Sequence, residues 1–205
     1  SWKERLKDAV LGELGGYPDS ELPRLVARSV AWLLRPHVMV VPPYVAQGKL
    51  LDAGSGAGSF LYWAQRAGWD AIGLELDGRA VEEGRRVGLN IVHGTMEDCS
   101  LPDASFDTVV LNHSLEHCHD PNRVLGHCYR VMKPGGLLIV GVPNFDCYDN
   151  LVFEDSWGPC DAPRHLYHFN PDTLTAILNK HGFEIERIRF KKWLIPHSER
   201  ISFRF

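Results

Sequence analysis

The tightest constraint on the fold is the run Leu51-Asp52-Ala53-Gly54-Ser55-Gly56-Ala57-Gly58, which follows a short apolar stretch and leads into an amphipathic one. Glycines at this density let a chain reverse sharply and let a ligand approach the backbone with no Cβ in the way. The same alternation continues around it. Strands are expected at Lys49–Ala53, Ala71–Leu76, Asn90–His93, Phe106–Asn112 and Leu137–Val142. Helices are expected between them, at Ser59–Ala67, Arg79–Val87 and Asn122–Met132. Near-continuous apolar strands interleaved with helices predict a parallel sheet covered on both faces, and right-handed crossovers make it doubly wound. Farther on, Pro171–Lys180 reads as a helix and Phe183–Phe190 as a strand, while Ile201–Phe205 is either a last, antiparallel strand or a truncated end.

Residues 1–47 differ from this pattern. Trp2, Leu6, Val10 and Leu14 recur at helical spacing, Gly15-Gly16 and Pro18 stop that helix, and a second is expected over about 21–34. The division expected is a helical cover over 1–47 and a ligand-binding α/β domain over 48–205.

Spacing and charge separate the possible ligands. A dinucleotide loop, Gly-x-Gly-x-x-Gly, would place its third glycine at 59, where this chain has Ser59; its third glycine is Gly58. Asp52 stands just ahead of the first glycine and would repel a pyrophosphate at a helix N-terminus. It suits a phosphate-free, cationic nucleoside such as S-adenosylmethionine. Glu75 closes the second strand about 20 residues past the first glycine, where a carboxylate can hold two ribose hydroxyls.

These residues belong to a longer series. Asp52 to Gly58, Glu75, Gly94-Thr95-Met96-Glu97-Asp98 and Phe106-Asp107 are followed by His113-Ser114-Leu115-Glu116-His117, Asp120-Pro121 and Arg130 to Gly136. Val142-Pro143-Asn144 and Pro163 to Phe169 complete it. In this order and spacing the chain resembles class I, Rossmann-like S-adenosylmethionine-dependent methyltransferases, in particular the branch with the ubiquinone-biosynthesis O-methyltransferases, over about residues 48–190. The resemblance implies that Gly54, Ser55 and Gly56 line the methionine part of the cofactor with Asp52 nearby. It implies that Glu75 binds the ribose, that Leu76 packs beside the adenine, and that Thr95, Met96 and Glu97 edge the ring. Asn112 and His113 would flank the sulfonium side, and Lys133-Pro134-Gly135-Gly136 would turn the chain into the fifth strand.

Methyl transfer is an in-line displacement at an already activated carbon, so the protein's task is alignment, water exclusion and, for an oxygen acceptor, a base. Histidine is the natural base near neutral pH. His113 and His117 follow the fourth strand, and His165 lies in a polar loop with Arg164 and His168. His113 and His165 are the catalytic candidates; Glu116 is expected to position its neighbours or tie down a loop. His113-x-x-Glu116-His117 also has an inverted zinc-peptidase spacing, but it follows a strand and Asp120-Pro121 starts a new helix, so the helix that chemistry needs is missing. No required metal is expected.

The formal net charge of −4 and pI of about 6.2 disfavour general nucleic-acid binding, and the basic tail from Arg187 to Arg204 reads as a solvated strand face. Five cysteines without Cys-x-x-Cys spacing point to reduced thiols in a cytoplasmic protein, and no apolar stretch is long enough to span a bilayer. The chain opens on Ser1 rather than Met, which leaves a removed targeting segment open. The expected activity is methyl transfer from S-adenosylmethionine to a small-molecule or glycan acceptor at oxygen. Two alternatives stay open: a binding module that keeps the cofactor without catalysis, and a nicotinamide-dependent oxidoreductase.

Overall fold

The computed structural model describes residues 42–153, 158–192 and 196–204. The helices expected over 1–41 lie outside the described residues; residues 42–48 form irregular chain and a turn. Seven strands make one sheet: β1 (Lys49–Ala53), β2 (Asp70–Glu75), β3 (Ile91–His93), β4 (Phe106–Asn112), β5 (Met132–Pro143), β6 (Glu184–Lys192) and β7 (Pro196–Arg204). Their order is β3-β2-β1-β4-β5-β7-β6. The first five are parallel, and β7 runs antiparallel to both β5 and β6.

Consecutive strand residues serve opposite faces, as the pleat requires. Leu50, Val110 and Ile139 join the layer built with Phe60, Leu61, Trp63 and Ala64 of α1 (Ser59–Arg66) and Val81 of α2 (Gly78–Arg86). Their neighbours Leu51, Val109, Leu138 and Val140 face the other way, onto α3 (Pro121–Val131) and α5 (Pro171–Lys180), which contribute Val124, Leu125, Leu174 and Leu178. Because the inner strands are covered on both sides, they read as near-continuous apolar runs. Each fully buried leucine contributes roughly 1.5–3 kcal/mol of hydrophobic stabilisation.

Helix starts follow local chemistry. Asp77 caps α2 by accepting from the Arg79 N–H at 2.9 Å. Asp120 caps α3 by accepting from the Asn122 and Arg123 N–H groups, and Pro121 occupies the first turn. Asn170 and Thr173 form a reciprocal capping box at α5. Besides these helices the sequence did not reveal α4 (Tyr148–Phe153) or two single 3₁₀ turns, Leu115–His117 and Gly158–Cys160.

The expected turn at Lys133–Gly136 is instead an excursion inside β5. The strand pairs first through Met132 opposite Phe106 and again from Leu137 opposite Thr108, and Gly135 takes φ 76° between them. Asp107 holds the excursion in place: its Oδ2 lies 2.7 Å from Lys133 Nζ and accepts from the Lys49 N–H at 2.8 Å. These contacts keep the Asp107 carboxyl below its ordinary range, although partial burial opposes them.

The chain runs outward from β1 to β3, then returns to β4 and continues to β5 on the other side. The direction of winding therefore reverses between β1 and β4, and open α/β sheets bind ligands at the carboxyl ends of such strands.

Candidate functional site

The loop after β1 is shaped by three glycines at φ 84°, 55° and 88°, at positions 54, 56 and 58. They do different work. A Cβ at Gly54 would lie 2.5 Å from Ser114 Cβ, and one at Gly58 would lie 2.4 Å from Leu89 Cδ1. Those two are therefore close-packing positions. A Cβ at Gly56 would meet nothing within 4 Å, so this glycine borders open space. The Gly54 and Ser55 N–H groups donate to the Leu74 carbonyl at the end of β2. Ser55 Oγ is turned toward the strand, 2.6 Å from where a Cβ on Gly73 would sit. The crevice thus receives Ser55's backbone rather than its hydroxyl.

Glu75 binds the loop directly. Its Oε2 accepts from the Gly56 N–H at 2.7 Å and its Oε1 from the Asp77 N–H at 2.8 Å. Each carboxylate oxygen retains a second acceptor position for ribose hydroxyls. Leu76 beyond it is 65% exposed, an apolar surface at the place expected for an adenine face. Asp52 is 2% exposed, and burial, with the nearby Glu75 charge second, raises its pKa from 3.8 to about 7. A carboxylate so placed gains from a cationic ligand, as an ammonium would compensate the desolvation. Open space over Gly56, a ribose-height carboxylate and an uncompensated buried acid fit S-adenosylmethionine better than a pyrophosphate.

The loop after β3 holds the remaining expected adenine contacts. Thr95 Oγ1 is buried with no hydrogen-bond partner, which leaves a polar group unspent there. Met96 is buried in the core, so its side chain supports the loop from beneath. Glu97 accepts from the Asp120 N–H at 2.8 Å, and its carboxylate ties the loop to the start of α3.

Beyond Asn112, the end of β4 carries the histidines. His113 has a left-handed backbone at φ 55°, and its N–H donates to the Gly141 carbonyl at 2.8 Å. Its Nδ1 lies 3.2 Å from Glu116 Oε1. Ser114 donates its hydroxyl to the Ala53 carbonyl at 2.8 Å, joining the ends of β4 and β1 beside Gly54. Sequence reasoning missed this joint, because only the crossover order brings residues 53 and 114 together.

His165 lies 48 residues beyond His117 in sequence. The Glu116 carbonyl accepts from the Leu166 and Tyr167 N–H groups at 2.8 and 3.3 Å. His117 Nδ1 lies 2.9 Å from the Arg164 carbonyl, and the His117 and His165 rings meet edge to face at 4.6 Å. Arg164 pairs with Asp161, whose carbonyl also accepts from the Arg164 and His165 N–H groups. Among the described residues, polar atoms of Glu116, His117 and His165 lie within 4.8 Å of one another. Of His113-x-x-Glu116-His117, only Glu116 and His117 lie on the 3₁₀ turn Leu115–His117 and His113 precedes it with φ 55°, so the helix a zinc peptidase needs is missing.

Comparison with known proteins bears on the family and the fold. The profile of a family described as a methyltransferase domain matches residues 19–188. A probable S-adenosylmethionine-dependent methyltransferase of Mycolicibacterium smegmatis is 32% identical over 139 residues, covering 67% of this chain and 52% of that protein. A ubiquinone biosynthesis O-methyltransferase of Methylococcus capsulatus is 33% identical over 134 residues, covering 62% of this chain and 55% of its own. The chain thus spans about half the length of the curated relatives it matches. A crystal structure of an S-adenosylmethionine-dependent methyltransferase from Archaeoglobus fulgidus superimposes with a TM-score of 0.67 at 22% identity, covering 89% of this chain and 95% of that one.

Proposed function

Since the chain belongs to the methyltransferase-domain family, we propose that it transfers a methyl group from S-adenosylmethionine to a hydroxyl of a small molecule or glycan. The observation that carries this reading is the Glu75 carboxylate bonded to the Gly56 N–H, where the glycine opens onto free space at the reversal point of the sheet. Bound there, S-adenosylmethionine supplies a methyl carbon already activated by its sulfonium.

The chain's own residues supply position and proton handling. Gly54 and Gly56 shape the floor, Asp52 offers negative charge to the amino group, and Glu75 receives the ribose hydroxyls. Leu76, Thr95, and the backbone of Met96 and Glu97 border the adenine. Asn112 and His113 stand at the end of β4 toward the acceptor side. His113 accepts the acceptor's hydroxyl proton, and His165, carried by the loop hung from Glu116, orients the acceptor opposite it. Oxygen as the methylated atom is supported by the similarity to an O-methyltransferase of ubiquinone biosynthesis. The acidic charge balance argues against nucleic acid as acceptor. None of the five cysteines is joined to another in a disulfide, which favours a reducing, cytoplasmic setting. No helix among the described residues is long and apolar enough to cross a membrane.

Calorimetry with S-adenosylmethionine and S-adenosylhomocysteine tests the cofactor, and a screen of hydroxylated acceptors for release of S-adenosylhomocysteine tests the reaction. Binding without release from any acceptor would leave a cofactor-binding module; affinity for NAD instead would make the chain an oxidoreductase. The reading assigns no metal to the reaction, because the leaving group needs no Lewis acid. Turnover should survive treatment with a chelator, and its loss with recovery on adding magnesium or zinc would reverse that assignment.

A further inference from the structure

We propose that Glu116 is a positioning residue that holds the proton of neutral His113 on Nδ1 and so makes Nε2 the basic atom of the site. This rests on the methyl-transfer reading above.

Three observations carry it. First, Glu116 is only 1% exposed, whereas the His113 side chain is 43% exposed, and the contact between them runs through His113 Nδ1. An ionised carboxylate only accepts, so against ionised Glu116 the bond requires the proton on Nδ1. The lone pair is then left on Nε2. Second, His113 keeps a left-handed backbone that a side-chain-bearing residue rarely adopts, pinned by its bond to Gly141. Such strain persists where surrounding structure over-determines it, and it collects at functional sites. Third, the carboxylate is poorly justified as a packing element. Its Oε2 is buried with no hydrogen-bond partner. Half-satisfied buried polar groups cost stability, and an apolar side chain of similar volume would fill the space without that cost.

Glu116 also acts through its backbone. Its main-chain oxygen receives the Leu166 and Tyr167 N–H groups, which set the loop bearing His165. One residue therefore registers the base and the acceptor loop to each other, the side chain acting on His113 and the backbone on the loop.

The test is nitrogen-15 NMR of the imidazoles in the full chain, at about pH 8.5 so that ordinary histidines are neutral. The His113 signals are assigned by their loss in His113→Asn. The wild type should show His113 with its proton on Nδ1. Glu116→Gln, which keeps an acceptor, should largely preserve that form. Glu116→Met should return His113 to the Nε2-protonated form that dominates in free histidine. A wild-type His113 protonated on Nε2 overturns the proposal, and so does a folded Glu116→Met with unchanged signals. The wild-type spectrum decides even if Glu116→Met fails to fold. A chelator-dependent His113 signal would also overturn it, assigning the carboxylate to a cation. Calorimetry with S-adenosylmethionine on the same samples keeps the two readings apart, because absent binding there would sink methyl transfer and leave the tautomer result standing.

Discussion

Asp52 shows how a single buried carboxyl can link a ligand to pH. Burial first, and repulsion from Glu75 second, lift its pKa to about 7. The folded value exceeds the unfolded one, so the folded chain holds this proton more tightly and its stability falls as pH rises from 3.8 toward about 7. Asp52→Asn should therefore raise the melting temperature of the ligand-free protein more at about pH 8 than at about pH 5. A cation beside Asp52 reverses the preference. Affinity for S-adenosylmethionine should strengthen up to about tenfold per pH unit below pH 7, then level off before the cofactor's own amino group deprotonates near about 8. Calorimetry in buffers of different ionisation heat would detect the released proton, and a flat profile in the wild type would remove Asp52 from the amino-group site. Glu75→Ala should weaken cofactor binding by about 1–3 kcal/mol, roughly five- to 150-fold, because it removes charged hydrogen bonds and frees the Gly56 N–H. Unchanged affinity in calorimetry would exclude Glu75 from the ribose site.

Among the elements, strands and helices were legible where one local signal dominated. β1, β4 and α5 begin and end at the residues expected from the sequence, and Asn170 caps α5. The cap has a measurable share: Asn170→Ala should lower stability by about 1 kcal/mol in denaturant melts with the slope unchanged, and no change would mean that Thr173 alone suffices. The start of β5 was not legible, since Pro134 and paired glycines signal a turn, while the strand resumes on either side of an excursion clamped by Asp107 and Lys133. The site divides in the same way. The glycine loop and Glu75 lie within one β-turn-α-β unit, so their spacing is readable along the chain. The roles of Met96 and Glu97 were harder to see, because burial and the contact to Asp120 depend on how α3 packs. Ser114 with Ala53, and His165 with His117, are meetings across the sheet that no local pattern encodes.

For the molecule as a whole, the sheet is the common partner of both apolar layers, so a cavity in its middle weakens the entire structure. Leu138 is fully buried in β5. Leu138→Ala should cost about 2–5 kcal/mol in chemical denaturation; a loss below about 1 kcal/mol would mean that the layer collapses onto the gap. The Glu116 carbonyl has a different kind of reach. Its bonds to the segment around His165 are main-chain bonds, from the Leu166 and Tyr167 N–H groups, and such bonds are indifferent to the side chains the segment carries. Lineages could accordingly rewrite that stretch to greet new molecules without unhooking it, as a lamp changes its shade but keeps its bracket.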